Sequence, residues 1–482
     1  MNFKGVISIL GFLVFVVGVF MLLAIPFSLY YSGDDIPAFL ISSGICLITG
    51  AAVWLLFRKH SSDLKVRDGF AIVTFGWVAM SLFGSLPFMI HGSIPSFTDA
   101  FFETASGFTT TGASIMTDIE KHPHGILFWR SMTQWIGGMG IIVLSLAILP
   151  ILGIGGMQLY KAEAPGPTVD KLKPRIGETA KALWSVYILF TFLQVFLLMI
   201  GGMNLFDALT HSFTTMATGG FSTKNASIAH YNSAYIDIVV TIFMLAAGVN
   251  FALHYRAVNG NVKSYFKNSE FLFYLTLTFL AIGLASAILF IHGNYSSVFD
   301  SIRYASFQVV SILTTTGFAT ANYIHWPIAI QFILFLLMFI GGSAGSTAGG
   351  IKVMRILILL RNGAAEFRKL LHPKAIVPVR FNGRAVSTEI ISNILAFFVL
   401  FMVTFVVGTI IMTTLGLDKV TAMGAVIASL GNIGPGLGEV GPVANYAHIP
   451  ILGKWVLSIC MIIGRLELFT VLVIFTRVYW RA

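Results

Sequence analysis

The sequence predicts an all-α polytopic membrane protein: four pseudo-repeats of span, pore helix, loop and span around one central pore, preceded by two extra N-terminal transmembrane helices. Three observations predict it. Of 482 residues, 56% are hydrophobic and only 10% charged, against about 25% charged in soluble domains. Apolar runs able to cross a hydrocarbon core of about 30 Å recur along the whole chain. Between them, four shorter apolar stretches end in glycine motifs. With a mean hydropathy of +0.87, the chain is neither a soluble enzyme, a disordered segment nor a disulfide scaffold. Its two cysteines, Cys46 and Cys460, lie in apolar stretches without ligand spacing.

The first run, Phe3 to Tyr31, is too long for the core of a signal peptide and lacks a small-residue cleavage site, so it reads as a span. Spans are expected over 5–30, 38–57, 69–90, 126–151, 182–203, 235–255, 271–292, 328–359, 388–415 and 453–478. Their even number puts both termini on one side. Lys and Arg collect in cytoplasmic loops. Most of the 30 fall on that side: Lys4, Arg58 to Arg67, Lys161 to Lys181, Arg256 to Lys267, Lys352 to Arg384, Arg477 and Arg481. Both termini are therefore expected in the cytoplasm. The net charge of +10 is topological and needs no nucleic acid to explain it. Asp34, Asp35, Asp99, Glu103, Asp118, Glu120 and Asp207 lean to the outer side and favour the approach of cations. Trp129, Trp135, Trp326, Trp455 and Trp480 suit interfacial belts. His91, His122 and His124 sit in outer loops without metal-ligand spacing.

The short stretches end in Phe108–Ser114 (FTTTGAS), Met216–Ser222 (MATGGFS), Leu313–Ala319 (LTTTGFA) and Leu430–Gly436 (LGNIGPG). The motifs recur at a loose period of about one hundred residues, the mark of an internal repeat. The chain divides on that basis into 1–62, 63–160, 161–258, 259–380 and 381–482. Asp99, Asp207, Asp300 and Asp418 open or precede the half-helices, either as caps or in direct contact with an ion. Non-helical backbone at membrane depth is tolerated where it lines a water-filled path. Four such loops about one axis present rings of carbonyls that replace the hydration shell of a monovalent cation. Glycine permits φ > 0 there.

Two anomalies remain. Residues 328–359 would form a helix of about 48 Å, yet Gly341 to Gly350 contains nothing larger than Thr. Each Gly costs about 1 kcal/mol relative to Ala in a helix. Close helix packing would explain some of these residues, but a run of ten favours a break. Arg465 falls in the middle of the tenth span, where it must face protein or water. It is either a buried Arg paired across helices or a cation facing the pore. Glu467, two residues on, points elsewhere on a continuous helix.

These motifs resemble the superfamily of K⁺ transporters that includes TrkH, KtrB, HKT and KdpA, from residue 69 to the C-terminus. The two extra spans and the length resemble the TrkH branch. The resemblance implies K⁺ uptake across a bacterial inner (plasma) membrane, with K⁺ as the transported ion and no organic cofactor in this chain. It assigns K⁺ at carbonyls around Thr110, Thr111 and Gly112; Ala217, Thr218 and Gly219; Thr315, Thr316 and Gly317; and Asn432, Ile433 and Gly434. A glycine in all four repeats goes with K⁺ preference over Na⁺, and the fourth motif departs by lacking Thr-Gly. The glycine-rich stretch of span 8 is similar to an intramembrane gating loop: Gly342, Ser343, Gly345, Ser346, Thr347, Gly349 and Gly350, with Lys352 and Arg355 at its cytoplasmic exit and Arg465 facing the pore. The resemblance also implies a homodimer and a cytoplasmic nucleotide-binding subunit resembling TrkA, for which loops 161–181 and 352–384 are available. The alternative on the same fold is an H⁺- or Na⁺-coupled symporter, which needs an intramembrane carboxylate that titrates; Glu467 is the candidate. An enzyme would need a nucleophile–base or metal constellation, which the spans lack.

Overall fold

The computed structural model describes residues 1–60, 64–148 and 176–481. Helices account for most of it, since a chain in lipid must satisfy its backbone within each segment. The first span is α1 (Phe3–Met21) continued through one tight turn into α2 (Ile25–Tyr30), and α3 (Ile36–Phe57) returns beside it. Glycine makes that contact close: a Cβ on Gly50 would lie 2.5 Å from the Phe15 backbone nitrogen. This hairpin packs on α4 (Val66–Gly84), which continues as α5 (Leu86–His91).

Four short helices follow the same plan: α6 (Phe97–Phe108), α9 (Leu205–Met216), α14 (Val298–Leu313) and α18 (Lys419–Leu430). Three have 12 residues and α14 has 16, so they extend only about 18 to 24 Å, too little to cross. Each lies between two flanking helical segments. These are α4–α5 and α7 (His124–Ile148); α8 (Ile176–Ile200) and α10 (Ala234–Ala247); α13 (Ser269–Ile291) and α15 (Ile328–Phe339); α17 (Thr388–Thr414) and α19 (Ile451–Arg465). A short helix α12 (Lys263–Phe266) precedes α13.

The second segment of every repeat is interrupted. α7 kinks at Gly140, whose φ is +67°. α10 stops at Gly248, and α11 (Phe251–Val258) leaves at 103°. α15 gives way to a loop over 340–352 before α16 (Val353–Leu371). α19 ends at Arg465, and the chain turns by 111° into α20 (Phe469–Leu472) and then α21 (Arg477–Arg481). The sequence reading placed a break only in span 8; spans 6 and 10 are also broken. In span 6 Gly248 and the N-cap Asn250 supply the turn. In span 10 no glycine stands at the break, and Glu467 and Leu468 themselves take positive φ, +57° and +47°.

Local details bear on other expectations. Trp129 and Trp326 are buried in the core instead of lying in interfacial belts; Trp129 donates to the Gly84 carbonyl at 2.9 Å. The proposed boundary at 380 cuts a small antiparallel hairpin, β1 (Arg380–Phe381) with β2 (Arg384–Ala385). Lys161, Lys171, Lys173 and Arg175, the end of span 4, and the boundaries at 62 and 160 lie outside the described residues.

Candidate functional site

Each short helix begins with a side-chain cap. Ser96, Asn204 and Ser297 accept from the amides of Asp99, Asp207 and Phe299, and Asp418 accepts from Val420 and Thr421. Only Asp418 of the four singled-out acids is therefore the cap itself. Asp99, Asp207 and Asp300 sit in the first turn, where a negative charge complements the helix dipole. Asp99 binds Lys454 at 2.6 Å, and Asp207 binds Lys224 at 3.2 Å.

The C-terminal ends share one geometry. Thr110, Thr218, Thr315 and Asn432 are left-handed, with φ of +55°, +55°, +58° and +55°. In each case that residue's N–H returns to the carbonyl three back, and the next N–H to the carbonyl five back. Thr110 to Gly107 at 2.9 Å and Thr111 to Ser106 at 2.8 Å are the first pair; Asn432 to Ser429 and Ile433 to Ala428 the last. This is the helix-ending motif in which glycine or asparagine normally takes the left-handed position. Threonine there costs about 1–2 kcal/mol, a strain of the kind that collects at functional sites.

Two residues further on, Gly112, Gly220, Gly317 and Gly434 are left-handed again, at +82°, +74°, +81° and +96°. The second repeat's equivalent is thus Gly220, and the triplet there is Thr218–Gly219–Gly220 instead of Ala217–Thr218–Gly219. Ala217 occupies the helix C-cap. Two adjacent glycines made the register ambiguous; the φ pattern resolves it. A Cβ on Gly112 would meet the Gly219 carbonyl oxygen at 2.1 Å, on Gly220 that of Thr316 at 2.0 Å, on Gly317 that of Ile433 at 2.0 Å, and on Gly434 that of Thr111 at 2.7 Å. Each glycine backs onto the next repeat, and the fourth returns to the first, so the ring closes. Any side chain at these positions would open it.

The Thr110, Thr111, Thr218, Thr315, Thr316, Asn432 and Ile433 side chains are fully buried. None of these residues titrates. Above the ring lies a recess of about 160 Å³ lined by all four left-handed glycines together with Arg130 and Ser222. Its rim is tied from repeat to repeat. Asn225 joins Asp118, Ile119 and Glu120; hydrogen bonds from Lys121 and Asn225 hold the exposed Asp118 carboxyl below its ordinary range. Ala229 donates to the Ala319 carbonyl at 3.1 Å, Tyr323 to that of Gly436 at 2.8 Å, and Tyr446 to that of Ser114 at 2.8 Å. The arrangement offers a dehydrated cation neutral oxygens in place of water.

Below the ring sits the 340–352 loop. Its neck is closed by Gly341 donating to the Ile351 carbonyl at 2.9 Å and Ile351 to that of Phe339 at 3.1 Å. Gly349 donates to Thr315 Oγ1 at 2.7 Å, and a Cβ on Gly349 would meet the Gly431 carbonyl at 2.4 Å. Gly345 and Gly350 are left-handed, at +74° and +64°. Ser343 donates to the Gly248 carbonyl at 2.8 Å, and Thr347 Oγ1 to that of Met216 at 2.9 Å. Thr347's own carbonyl accepts from Arg465 at 2.7 Å. The breaks in spans 6, 8 and 10 therefore meet under the ring.

Arg465 stands at the end of α19 and not in mid-helix. Its guanidinium caps the carbonyls of Gly137, Gly138 and Thr347, joining three repeats. At the end of the loop Lys352 folds back onto the Ala348 carbonyl, and buried Arg355 pairs with Glu467 and covers the Phe397 ring. The tertiary pairing of Glu467 follows from the break, which aims it away from its own helix.

Sequence reasoning counted Glu103 only among the outer-side acids, left Arg130 and Glu270 at span edges without a site role, and missed Gln134. Glu103 accepts from Ser114 Oγ, the Ile115 amide and Arg130 Nε, and Arg130 reaches the Ser222 carbonyl at 2.9 Å. Glu270 accepts from the Ala344 amide at 2.7 Å. Arg130 and Gln134, four residues apart on an apolar helix, were the available signal.

The family model TrkH, a cation transport protein, matches residues 35–480. The chain is 42% identical over 484 residues to the Trk system potassium uptake protein TrkH of Escherichia coli (strain K12), with 100% of each chain covered. It is 43% identical over 484 residues to the TrkH protein of Halomonas elongata, again over 100% of both. Among solved structures, that of the potassium transporter TrkH from Vibrio parahaemolyticus matches with a TM-score of 0.90 at 40% identity, covering 100% of each chain.

Proposed function

The chain belongs to the TrkH family of cation transport proteins, and from that premise we propose that it carries K⁺ into the cell through the ring described above. The observation that carries the reading is the closed set of left-handed pairs, each glycine backed by the next repeat's carbonyl. The filter is Thr110–Gly112, Thr218–Gly220, Thr315–Gly317 and Asn432–Gly434. Neutral carbonyls favour a monovalent ion, and four helix C-termini aimed at the space below add partial negative charge.

The 340–352 loop is the gate. It plugs the path beneath the filter, and Arg465 holds it there through Thr347. Gly342, Gly345, Gly349 and Gly350 give it the backbone freedom to move aside. Passive flow is favoured over symport because the intramembrane carboxylates already have partners: Glu467 has Arg355, and Glu270 has the Ala344 and Met354 amides. The protein is a multi-pass membrane protein; the distribution of basic residues supports cytoplasmic termini, and the likeness to TrkH proteins of bacteria supports a bacterial inner membrane. A homodimer and a separate nucleotide-binding subunit resembling TrkA, docked on the basic cytoplasmic face, complete the proposal.

The test is ⁸⁶Rb⁺ uptake into K⁺-loaded liposomes containing the purified chain. Block by external K⁺ but not Na⁺, unchanged by a pH gradient at fixed membrane potential, is expected. Equal block by both ions would overturn the filter assignment.

A further inference from the structure

The four filter strands are not fastened alike. In repeats 1 and 3 the residue after the left-handed one is Thr, and its hydroxyl pairs with the Thr two residues earlier: Thr111 with Thr109 at 2.7 Å, Thr316 with Thr314 at 2.8 Å. Thr109 and Thr314 in turn donate to their own pore helices, at Ala105 and Val310. Each strand is thereby locked to its own helix. Repeat 2 has Ala217 and Gly219 at the two positions, so neither hydroxyl exists.

Gln134 stands in their place. It comes from α7 of the neighbouring repeat and is fully buried. Its Nε2 donates to the Gly219 carbonyl at 2.7 Å, and its Oε1 accepts from the Phe221 amide at 3.0 Å. With one donor and one acceptor engaged, the orientation of the amide is set by its partners. A Cβ on Gly219 would lie 2.3 Å from Gln134 Cδ. Gly219 has no left-handed φ to explain it, so the glycine is required by the incoming side chain. Arg130, one turn earlier on the same face, fixes the Ser222 carbonyl below the rim.

Gly219 contributes one of the four carbonyls against which the ring closes, the one facing Gly112. A carbonyl oxygen has two lone pairs; the hydrogen bond uses one and sets the aim of the other. We propose that Gln134 is a positioning residue of the filter, holding the Gly219 carbonyl at the spacing that favours K⁺ over Na⁺. This rests on the reading of the ring as the ion filter. Selectivity then depends on a side chain outside every filter motif, supplied by an adjacent repeat.

The experiment is ⁸⁶Rb⁺ uptake by the full chain in liposomes, read as the ratio of K⁺ to Na⁺ competition. Gln134→Met keeps the length and loses both hydrogen bonds; the ratio is expected to fall by about three- to tenfold, the weight of one neutral hydrogen bond. An unchanged ratio in the folded variant overturns the proposal. Should that variant not fold, Gly219→Ala and Gly219→Ala with Gln134→Ala decide. The single change loses discrimination, and the double change, which clears the space but leaves the carbonyl of residue 219 without its donor, does not recover it; recovery of the wild-type ratio overturns the role of Gln134. Gly317→Ala is the control for the underlying reading, because it alters the ring far from Gln134. If Gly317→Ala also leaves the ratio intact, the filter reading fails; if it collapses the ratio while Gln134→Met does not, only the role of Gln134 falls.

Discussion

At single residues, backbone strain recurs in all four repeats at the ring. Four non-glycine residues hold left-handed backbone at the helix ends, and the following glycines have no room for a Cβ. Gly317→Ala brings a Cβ to 2.0 Å from the Ile433 carbonyl at a φ of +81°. A loss of K⁺-over-Na⁺ discrimination of about tenfold or more is expected, since a Cβ at positive φ and a displaced backbone act together. Competition uptake checks it. Gly363 is the contrasting case: it lies in α16 with nothing near its missing Cβ. Gly363→Ala should raise stability by up to about 1 kcal/mol, seen as a higher Tm in detergent with unaltered uptake. The buried Arg130–Glu103 pair carries a larger penalty. Arg130→Met leaves a carboxylate buried without its cation, and a loss of about 3–5 kcal/mol is expected from thermal or denaturant unfolding.

Among the elements, the broken helices matter more than the intact ones. A continuous helix would bury its carbonyls in its own ladder, whereas each break frees backbone groups that must find partners. Here they find each other: the Gly248 carbonyl takes Ser343, the Gly345 carbonyl takes Phe251, and Arg465 takes Gly137, Gly138 and Thr347. Arg465 is thus a half-buried Arg bonded across repeats, and in our proposal it also lies beside the ion path. Arg465→Gln keeps a shorter donor and removes the charge; a several-fold rise in uptake is expected from the loss of charge-assisted bonds of about 1.5–3 kcal/mol each. Uptake at or below the wild-type rate would argue that Arg465 supports the pore instead of closing it.

For the molecule as a whole, the repeats are held in a circle by ties that differ at every junction. Asn225 joins the first to the second, Arg303 with Asp237 the second to the third, Tyr323 the third to the fourth, and Lys454 with Asp99 the fourth to the first. Lys454 is almost fully buried and Asp99 only partly. Lys454→Met should therefore lower Tm and weaken discrimination together, and the exchange Asp99→Lys with Lys454→Asp should recover part of both. A swap no better than the single change would show that packing, not charge, closes the circle. The N-terminal hairpin lies outside the ring: Asp35 accepts from the Ile126 amide at 2.9 Å, and Tyr31 stacks on His124.

Apolar length and the fourfold glycine motif are local properties, and they determined the helical class, the approximate spans and the approximate location of the ring. The ten small residues of span 8 likewise announced their break, because no helix holds five glycines cheaply. Register in the second repeat could not be read that way, since Gly219 and Gly220 are chemically identical and only the neighbours' positions tell them apart: Gln134 presses on one, the Thr316 carbonyl on the other. The same holds for the break after Arg465. Nothing in Leu466–Leu468 is a helix breaker by propensity; the left-handed backbone there is held by packing and by the pairing of Glu467 with Arg355, a residue more than one hundred positions away. Local chemistry sets what a segment can form, and contacts between distant segments choose among those forms when the local cost is only a few kcal/mol.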